Sequence, residues 1–510
     1  MIKMANTNNQ YPSMNGVNRM MKILQKNGST ERFRRLTRRH AFFDGTQYDH
    51  LLFDYDGYNV NTLHSPVAVE STDYVKMKFR RPSLQTGIPA KIVNAFTTLL
   101  FGHGMKPAIV SQKDDGKTDD DATAFIGQLT KDAKLFKQML LARTLGGSMG
   151  GVAILPTINK GKPGLKVLDI RNMMVFEWED YDNQIPAVVV QQYRIEREKF
   201  EDDGSTKEQI KWIRRKFDQQ HETLWESSWL DSLEADPDWQ LIDEVEHGLS
   251  RCPIIWIKNW PESDGSQDGQ ADYPDRMHSD FERLDYLISQ MDRAFFANLD
   301  PTPVFSGINP NQVLKGSDNG INLPNGADAK YLEASFAGAE AGKEHIDKHE
   351  GRLQAECQCV ILDAQTVVGT PPSGEAIKKL LAPMHSRAEA FRDIYGDAII
   401  QAVTLLVEIA SNAKEKLKLS RKVKVVEAGN LELQWPDFVI PTPEDIGKMA
   451  QGIATARAGK FISQQASVRY FAPVVGVEDC EAEIKQLASE LLAEERRFED
   501  RMLEDDTDNE

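Results

Sequence analysis

Apolar side chains recur along this chain at two different spacings, and the places where the spacing changes divide it. From Val17 the spacing is helical: Met20, Met21, Ile23 and Leu24 supply one face, Asn27-Gly28 interrupts it, and Glu31 to His40 resumes it. Ile88 to Gly102 predicts an amphipathic helix with Ile92, Phe96, Leu99 and Leu100 on one side. Another helix is predicted over Thr123 to Leu145, running into Gly146-Gly-Ser-Met-Gly-Gly151. From 152 to 260 the period becomes two. Runs at 152–156, 165–170, 174–178, 187–195, 222–225 and 254–257 predict an antiparallel sheet region, closed by the acidic loop 261–270.

Beyond that loop Met277, Phe281, Leu284, Ile288, Met291 and Phe295 alternate spacings of four and three. This is a heptad seam on a helix of about 25 residues, roughly 38 Å long. A second helix is predicted over Ala339 to Gln365, with Ile346, Leu353 and Val360 one heptad apart. Between the two helices, Pro301-Thr-Pro-Val-Phe-Ser-Gly307 and the turns that follow read as a small β or mixed insertion at the tip of a helical hairpin. The second helix is heavily charged, so its apolar stripe is narrow. Such a hairpin cannot bury its faces alone, and a ring or bundle of copies would complete it.

After residue 375 a longer helix is predicted to about Ala413. Its apolar stripe is Ile377, Leu380, Leu381, Met384, Phe391, Ile394, Tyr395 and Ile399, with a kink expected at Pro383. Two β-like runs follow at 423–426 and 431–435, and Thr442-Pro-Glu-Asp445 has the residues of a helix start. The remainder reads as a small helical domain with an acidic tail. The fold class is therefore α+β.

A chain of 510 residues is long enough for two to four structural units. Its 40% hydrophobic and 27% charged residues are ordinary for a soluble protein. The longest apolar run, near 398–410, is broken by Gln401, Thr404 and Glu408, so no membrane span is expected. The first ten residues have no apolar core followed by a cleavage site, which makes an intracellular start the expectation. The widely spread cysteines Cys252, Cys357, Cys359 and Cys480 read as reduced thiols. A formal charge of −17 argues against clamping nucleic acid over the whole surface. It suits a wall past which a polyanion slides, because weak holding favours passage.

Three patterns invite chemistry. The glycine cluster at 146–151 lacks the Gly-Lys-Ser/Thr ending of a phosphate loop and follows a helix instead of a strand, so it reads as a helix stop feeding a strand. His345 and His349 stand one helical turn apart, as in a zinc protease, but Ile346 occupies the place of the catalytic glutamate. The basic segment from Glu31 to His40, with five arginines, could contact nucleic acid; a solvated helix face or an intersubunit salt-bridge surface fits it better. No catalytic residue, metal site or cofactor is assigned.

The order of parts resembles the siphophage-type portal proteins of tailed bacteriophages, a family forming a twelve-subunit ring at one capsid vertex. The resemblance rests on Phe43-Asp-Gly-Thr-Gln47, on Lys91-Ile-Val-Asn-Ala-Phe96 with Leu100-Phe-Gly102, and on His247-Gly-Leu-Ser-Arg-Cys-Pro-Ile-Ile255. Further on it rests on Asp285 to Arg293, Asp300 to Gly307, Ser373-Gly-Glu-Ala-Ile-Lys378, Trp435-Pro436 and Gly459-Lys-Phe-Ile-Ser463. It implies a portal fold: a flexible arm (1–16), a wing (17–270), a first stem helix (271–299), a clip (300–337) and a second stem helix (338–362). A tunnel loop (363–375), the long kinked wing helix with strands (376–441) and a helical crown with acidic tail (442–510) follow.

The resemblance further implies a non-enzymatic channel with homo-oligomeric (dodecameric) assembly, found in the virion and, during assembly, in the host cytoplasm. Its partners would be double-stranded DNA, the terminase large subunit, a head-tail adaptor, and the major capsid protein and scaffold, with no membrane. Pro303, Phe305, Asn311, Lys315 and Tyr331 would meet the motor or adaptor, and Lys343, Lys348 and Arg352 are candidate channel cations. Other readings are a different oligomeric connector or scaffold of the virion, and an enzyme using scattered His and Asp.

The tunnel loop carries Gln365, Thr366, Val367, Val368, Gly369 and Thr370. Its two valines would either form a neutral collar facing DNA or tuck against a neighbouring subunit's loop. Gly369 and Gly374 supply bends, and Thr370-Pro-Pro-Ser373 limits backbone freedom.

Overall fold

The computed structural model describes residues 31–48, 82, 84–113, 118–179, 184–200, 206–231, 237–262, 266–299, 302–306, 328–332, 336–361, 374–412, 417–421, 430–438, 443–472 and 483–490. The chain divides into two units, residues 1–436 and 437–510. Elements in the first unit begin with helix α1 (Glu31–Asp44), α2 (Ile88–Phe101), strand β1 (Ala108–Gln112), α3 (Asp120–Asp132) and α4 (Leu135–Met149). Strands β2 (Gly151–Asn159), β3 (Lys162–Leu168), β4 (Met173–Trp178), β5 (Pro186–Phe200) and β6 (Thr206–Phe217) come next. They are followed by β7 (His221–Ser227), β8 (Trp239–Glu246) and β9 (Ile255–Lys258). Helix α5 (His278–Leu299), β10 (Thr302–Ser306), β11 (Asp328–Leu332), α6 (Phe336–Glu356), α7 (Gly374–Asn412) and β12 (Asn430–Gln434) complete it.

The period-two region makes two sheets. One has the order β3-β2-β9, and the other is the meander β4-β5-β6-β7-β8; every pairing is antiparallel. Strands β6 and β8 escape the hydrophobic pattern because their sequences are mixed: β6 is rich in Lys and Arg, and every residue of β8 after Trp239 is exposed. Leu36, Met149, Ala153, Leu155, Ile170, Met173, Phe217 and Trp256 belong to one core cluster between α1 and the two sheets.

Helix α7 packs on β2 and β9. Its Phe391, Tyr395, Ile399, Ala402, Val403 and Leu406 are fully buried. The helix continues through Pro383 as one element of 39 residues, so the expected kink does not end it. Lys379–Asn412 is long and apolar enough to cross a membrane by length and composition, and 56% of its most apolar window is buried inside the protein. Burial of that kind is what a core helix shows.

Two predicted helices are shorter than their sequences suggested. The segment 123–145 is two helices, α3 and α4, separated at Ala133-Lys134, where Lys134 takes a left-handed φ of 55°. The break lets Phe125, Ile126 and Leu129 on one side, and Leu135 and Met139 on the other, all be buried. The helix expected to reach Gln365 ends at Glu356. Gln358 adopts φ 50°, the Cys359 amide donates to the Gln354 carbonyl at 2.9 Å, and the Gln358 amide donates to that of Ala355 at 3.1 Å. This is a Schellman closure, with glutamine in the position usually given to glycine. Val360 therefore lies beyond the helix and is not a seam residue of it.

Strand β12 pairs with β1, bringing residues far apart in sequence together. The run at 423–426 lies outside the described residues. In the second unit, α8 (Pro443–Ala458) and α9 (Gln464–Phe471) are joined through Ser463, whose hydroxyl accepts from the Ala466 amide. With the helical residues 483–490 they line an open cleft of about 410 Å³ bordered by Ile453, Arg457, Val468, Phe471 and Leu487.

Candidate functional site

Helices α5 and α6 lie side by side as a hairpin. Met277 Sδ lies 3.5 Å from Cys357 Sγ, Asp280 accepts from Arg352 at 3.2 Å, and Met291 lies where a side chain on Gly342 would meet it at 3.2 Å. As position rises along α5 its partner's position falls along α6, so the two helices run antiparallel. At the far end β10 and β11 form a hairpin of their own, with Pro303 opposite Tyr331 and Phe305 opposite Ala329. Asn311 and Lys315 lie outside the described residues.

The heptad seam divides between two tasks. Met277, Phe281 and Leu284 are buried, Ile288 and Met291 are half-buried, and Phe295 is 55% exposed. The buried part faces α1 and the segment before α5 as well as α6: Phe281 packs tilted on Phe42 and edge-on to Tyr273, and His278 stacks on Phe42 at 4.3 Å. On α6, Leu353 is buried and Ile346 half-buried. The seam is thus an anchor at its α1 end and an exposed ridge further along, not a continuous two-helix interface.

Asp285 is the polar centre of that anchor. It accepts from Tyr48 Oη at 2.8 Å, Gln47 Nε2 at 3.3 Å, the Thr86 amide at 2.9 Å and Thr86 Oγ1 at 3.0 Å. Burial raises its pKa, and the four donors pull in the opposite direction. Burial, with the neighbouring Asp285 charge, raises the Tyr48 phenol too. The segment Phe43-Asp-Gly-Thr-Gln47 now has a physical purpose: Gly45 turns at φ 75°, the Thr46 amide closes α1 on the Ala41 carbonyl, and Gln47 reaches Asp285.

Two of the five arginines of α1, Arg32 and Arg39, are turned inward to acids and carbonyls of the same chain, while Arg34 and Arg38 stay exposed on the solvated face. Arg32 forms a two-pronged pair with Asp268 at 2.7 Å and also donates to the carbonyls of Met173 and Ile170. Arg39, 3% exposed, pairs with Asp275 and donates to the Met149 and Gly269 carbonyls. Arg38 reaches Glu282 on α5. The sequence shows the cations together; it does not show that their acids arrive from more than 230 residues away.

A second buried network fixes α7. Arg143 on α4 pairs with Asp272 at 3.0 Å, both side chains fully buried, and its guanidinium lies 4.1 Å from the Phe391 ring centre. Asn259 donates to Asp272, and Tyr395 donates to Asn259. The glycine cluster makes room for this. A Cβ on Gly147 would sit 2.4 Å from Arg143 Nη1 and 2.5 Å from Asp272 Oδ2, and one on Gly146 would sit 2.1 Å from Tyr395 Oη. Gly150, at φ 98°, ends α4 before β2. The helix-stop reading of 146–151 accounts for Gly150, and close packing accounts for the other two.

Where the chain leaves α6, Arg387 of α7 donates to the Cys357 and Asp272 carbonyls. Its guanidinium also lies 5.1 Å from the Phe96 ring centre. Arg387 falls on the apolar stripe of α7, between Met384 and Phe391, and a cation on such a stripe is the signal that could have revealed it. Cys252, Cys357 and Cys359 are buried free thiols, each pushed up to about 12 by burial, so they are poor nucleophiles.

Of the candidate cations, Lys348 pairs with Glu344 at 2.7 Å, and Arg352 pairs with both Glu356 and Asp280. Lys343 is exposed. His345 and His349 meet edge-on with ring centres 4.9 Å apart, and among the described residues no cluster of three or more His, Cys, Asp or Glu could hold a metal. Gln365, Thr366, Val367, Val368, Gly369 and Thr370 lie outside the described residues. A family model described as phage portal protein, SPP1 Gp6-like, matches residues 44–496. No individual curated protein matches the chain.

Proposed function

The chain belongs to the SPP1 Gp6-like phage portal protein family, and on that premise we propose that copies of it form a twelve-subunit ring at one capsid vertex, the channel for packaging and ejecting double-stranded DNA. The single observation that carries this reading is the family match across residues 44–496. The antiparallel hairpin supports it, because α5 is fixed to the wing by Asp285 and the arginines of α1 at one end and leads to a β hairpin at the other. In this reading α5 and α6 are the stem, 300–337 the clip, 363–375 the tunnel loop and 442–510 the crown. The clip meets the terminase motor first and the head-tail adaptor later, and the capsid protein and scaffold surround the wing.

The channel itself performs no catalysis; ATP hydrolysis belongs to the motor. DNA passes without specific grip, because the chain carries −17 and Lys348 and Arg352 are already paired with acids. Labelling virions with an antibody against the chain tests the assignment. A portal gives label at one vertex per particle, whereas label on every vertex or along the tail overturns it. Another connector of the virion would label the tail side of the vertex only after packaging, so labelling of unfilled capsids separates the two.

A further inference from the structure

Among the exposed apolar side chains of the first unit, two groups of neighbouring residues carry margins of opposite charge. Strand β8 is the last strand of the five-stranded sheet, and among the described residues β7 is its only sheet neighbour, so no described strand pairs with its outer edge. On it Leu241, Ile242 and Val245 are 57%, 52% and 50% exposed. Between them and after them stand Asp243, Glu244 and Glu246, also exposed, and no Lys or Arg occurs from Trp239 to Glu246. An open strand edge bearing apolar residues is normally covered or blunted.

The other face is on α4. Leu140 and Leu141 are 44% and 46% exposed, although the helix buries Leu135, Met139 and Ala142 on its opposite side. Lys137 and Lys134 are exposed one and two turns before Leu141, and Lys131 is exposed at the end of α3. This face is apolar with a basic margin, as the β8 edge is apolar with an acidic one. Within the chain α4 packs on α1, α2, β2 and β3, while β8 packs on β7, so neither face serves as cover for the other.

We propose that α4 of one copy docks on the β8 edge of the next copy, as a head-to-tail contact between wings; this rests on the ring reading above. Charge decides the pairing. Contact of α4 with α4, or of β8 with β8, sets like charges against each other, whereas α4 on β8 matches Lys134 and Lys137 with Glu244 and Glu246 around an apolar centre. A contact between two different patches repeats around a ring when its rotation closes, which a self-complementary patch cannot do beyond a dimer.

Charge swapping on the full chain tests it, read by native mass spectrometry. Lys134→Glu with Lys137→Glu, and separately Glu244→Lys with Glu246→Lys, are expected to lose the ring, and the chain carrying all four substitutions to recover it. All four positions are exposed, so circular dichroism and thermal unfolding should match the wild type. Rings from both charge-reversed chains, or no recovery in the combined chain, overturn the contact and leave the ring reading standing; absence of rings from the wild type overturns both. A second measurement uses Leu141→Cys and Val245→Cys on differently tagged copies in a Cys480→Ser background, joined by a bismaleimide. Mixed copies are expected to cross-link and either variant alone not to; cross-linking within one variant, or none in assembled rings, overturns the proposal.

Discussion

Arg387 Nη1 donates to the backbone carbonyl of Cys357 at 2.5 Å. The same guanidinium reaches the Asp272 carbonyl at 2.9 Å, so one side chain of α7 holds both the exit of the hairpin and the strap that precedes it. Both carbonyls lie outside the regular helices and strands, in a bend and a turn, and this fork donates to each of them.

Arg387→Ala leaves both carbonyls without their donor and should lower the stability of the full chain by about 1–3 kcal/mol. Arg387→Lys should recover only part of it, since one ammonium does not reproduce a planar fork. Urea unfolding measures the loss, and hydrogen exchange at the Cys359 and Ile361 amides should rise in step. Unchanged exchange there would show that the fork does not hold the hairpin exit.

The glycines of α3 and α4 make opposite predictions. Gly147→Ala places a methyl group 2.4 Å from Arg143 Nη1 and should disrupt a buried ion pair, a loss of about 3–5 kcal/mol. Gly127→Ala, in α3 with nothing within 4 Å of the new Cβ, should stabilise by about 0.5–1 kcal/mol. Thermal unfolding of the two variants beside the wild type decides it; shifts of the same sign would contradict the packing account.

Sequence periodicity revealed α1, α2, the two hairpin helices and α7 because each buries one stripe, and a stripe is a local property. It missed the break at Lys134 and the stop at Gln358, since both are left-handed residues without glycine and are dictated by where the flanking side chains must go. The sites follow the same division. The arginines of α1 and the glycines before β2 stand out in sequence, yet the acids that give them meaning do not: Asp268 and Asp272 lie outside regular elements and Asp275 opens a single 3-10 turn. Asp285 lay inside a recognisable motif, but its donors come from Gln47, Tyr48 and Thr86, about 200 or more residues earlier.

His278 sets a pH dependence. Burial lowers its pKa from 6.5 to about 4, with Asp275 opposing and Arg38 and Arg39 reinforcing the shift. The folded state therefore favours the neutral ring. Its contribution is complete above pH 6.5 and is lost as pH falls toward about 4, by up to about 3 kcal/mol over that window. Asp285, whose pKa is raised, acts in the opposite sense as pH falls. His278→Phe keeps the stacking on Phe42 and removes the titration, so the variant's stability should fall less steeply than the wild type's between pH 6.5 and 4. Parallel curves would remove His278 from the account.

In the proposed tunnel loop, Val367→Lys with Val368→Lys adds two charges per copy and separates a neutral collar facing DNA from valines tucked against a neighbouring loop. Phosphate contact at that ring should slow DNA movement, so the amount of DNA packaged in a fixed time should drop, and high salt should partly restore it. Packaging at the wild-type rate would place the valines against protein and not against DNA.

The central claim is that this chain builds a ring around a passage. Electron microscopy of the purified full-length protein, with the particle mass measured alongside, tests it most directly. The account predicts rings with a central hole and a mass near twelve times 57.5 kDa. A stable monomer, or a closed assembly with no passage through it, would contradict it.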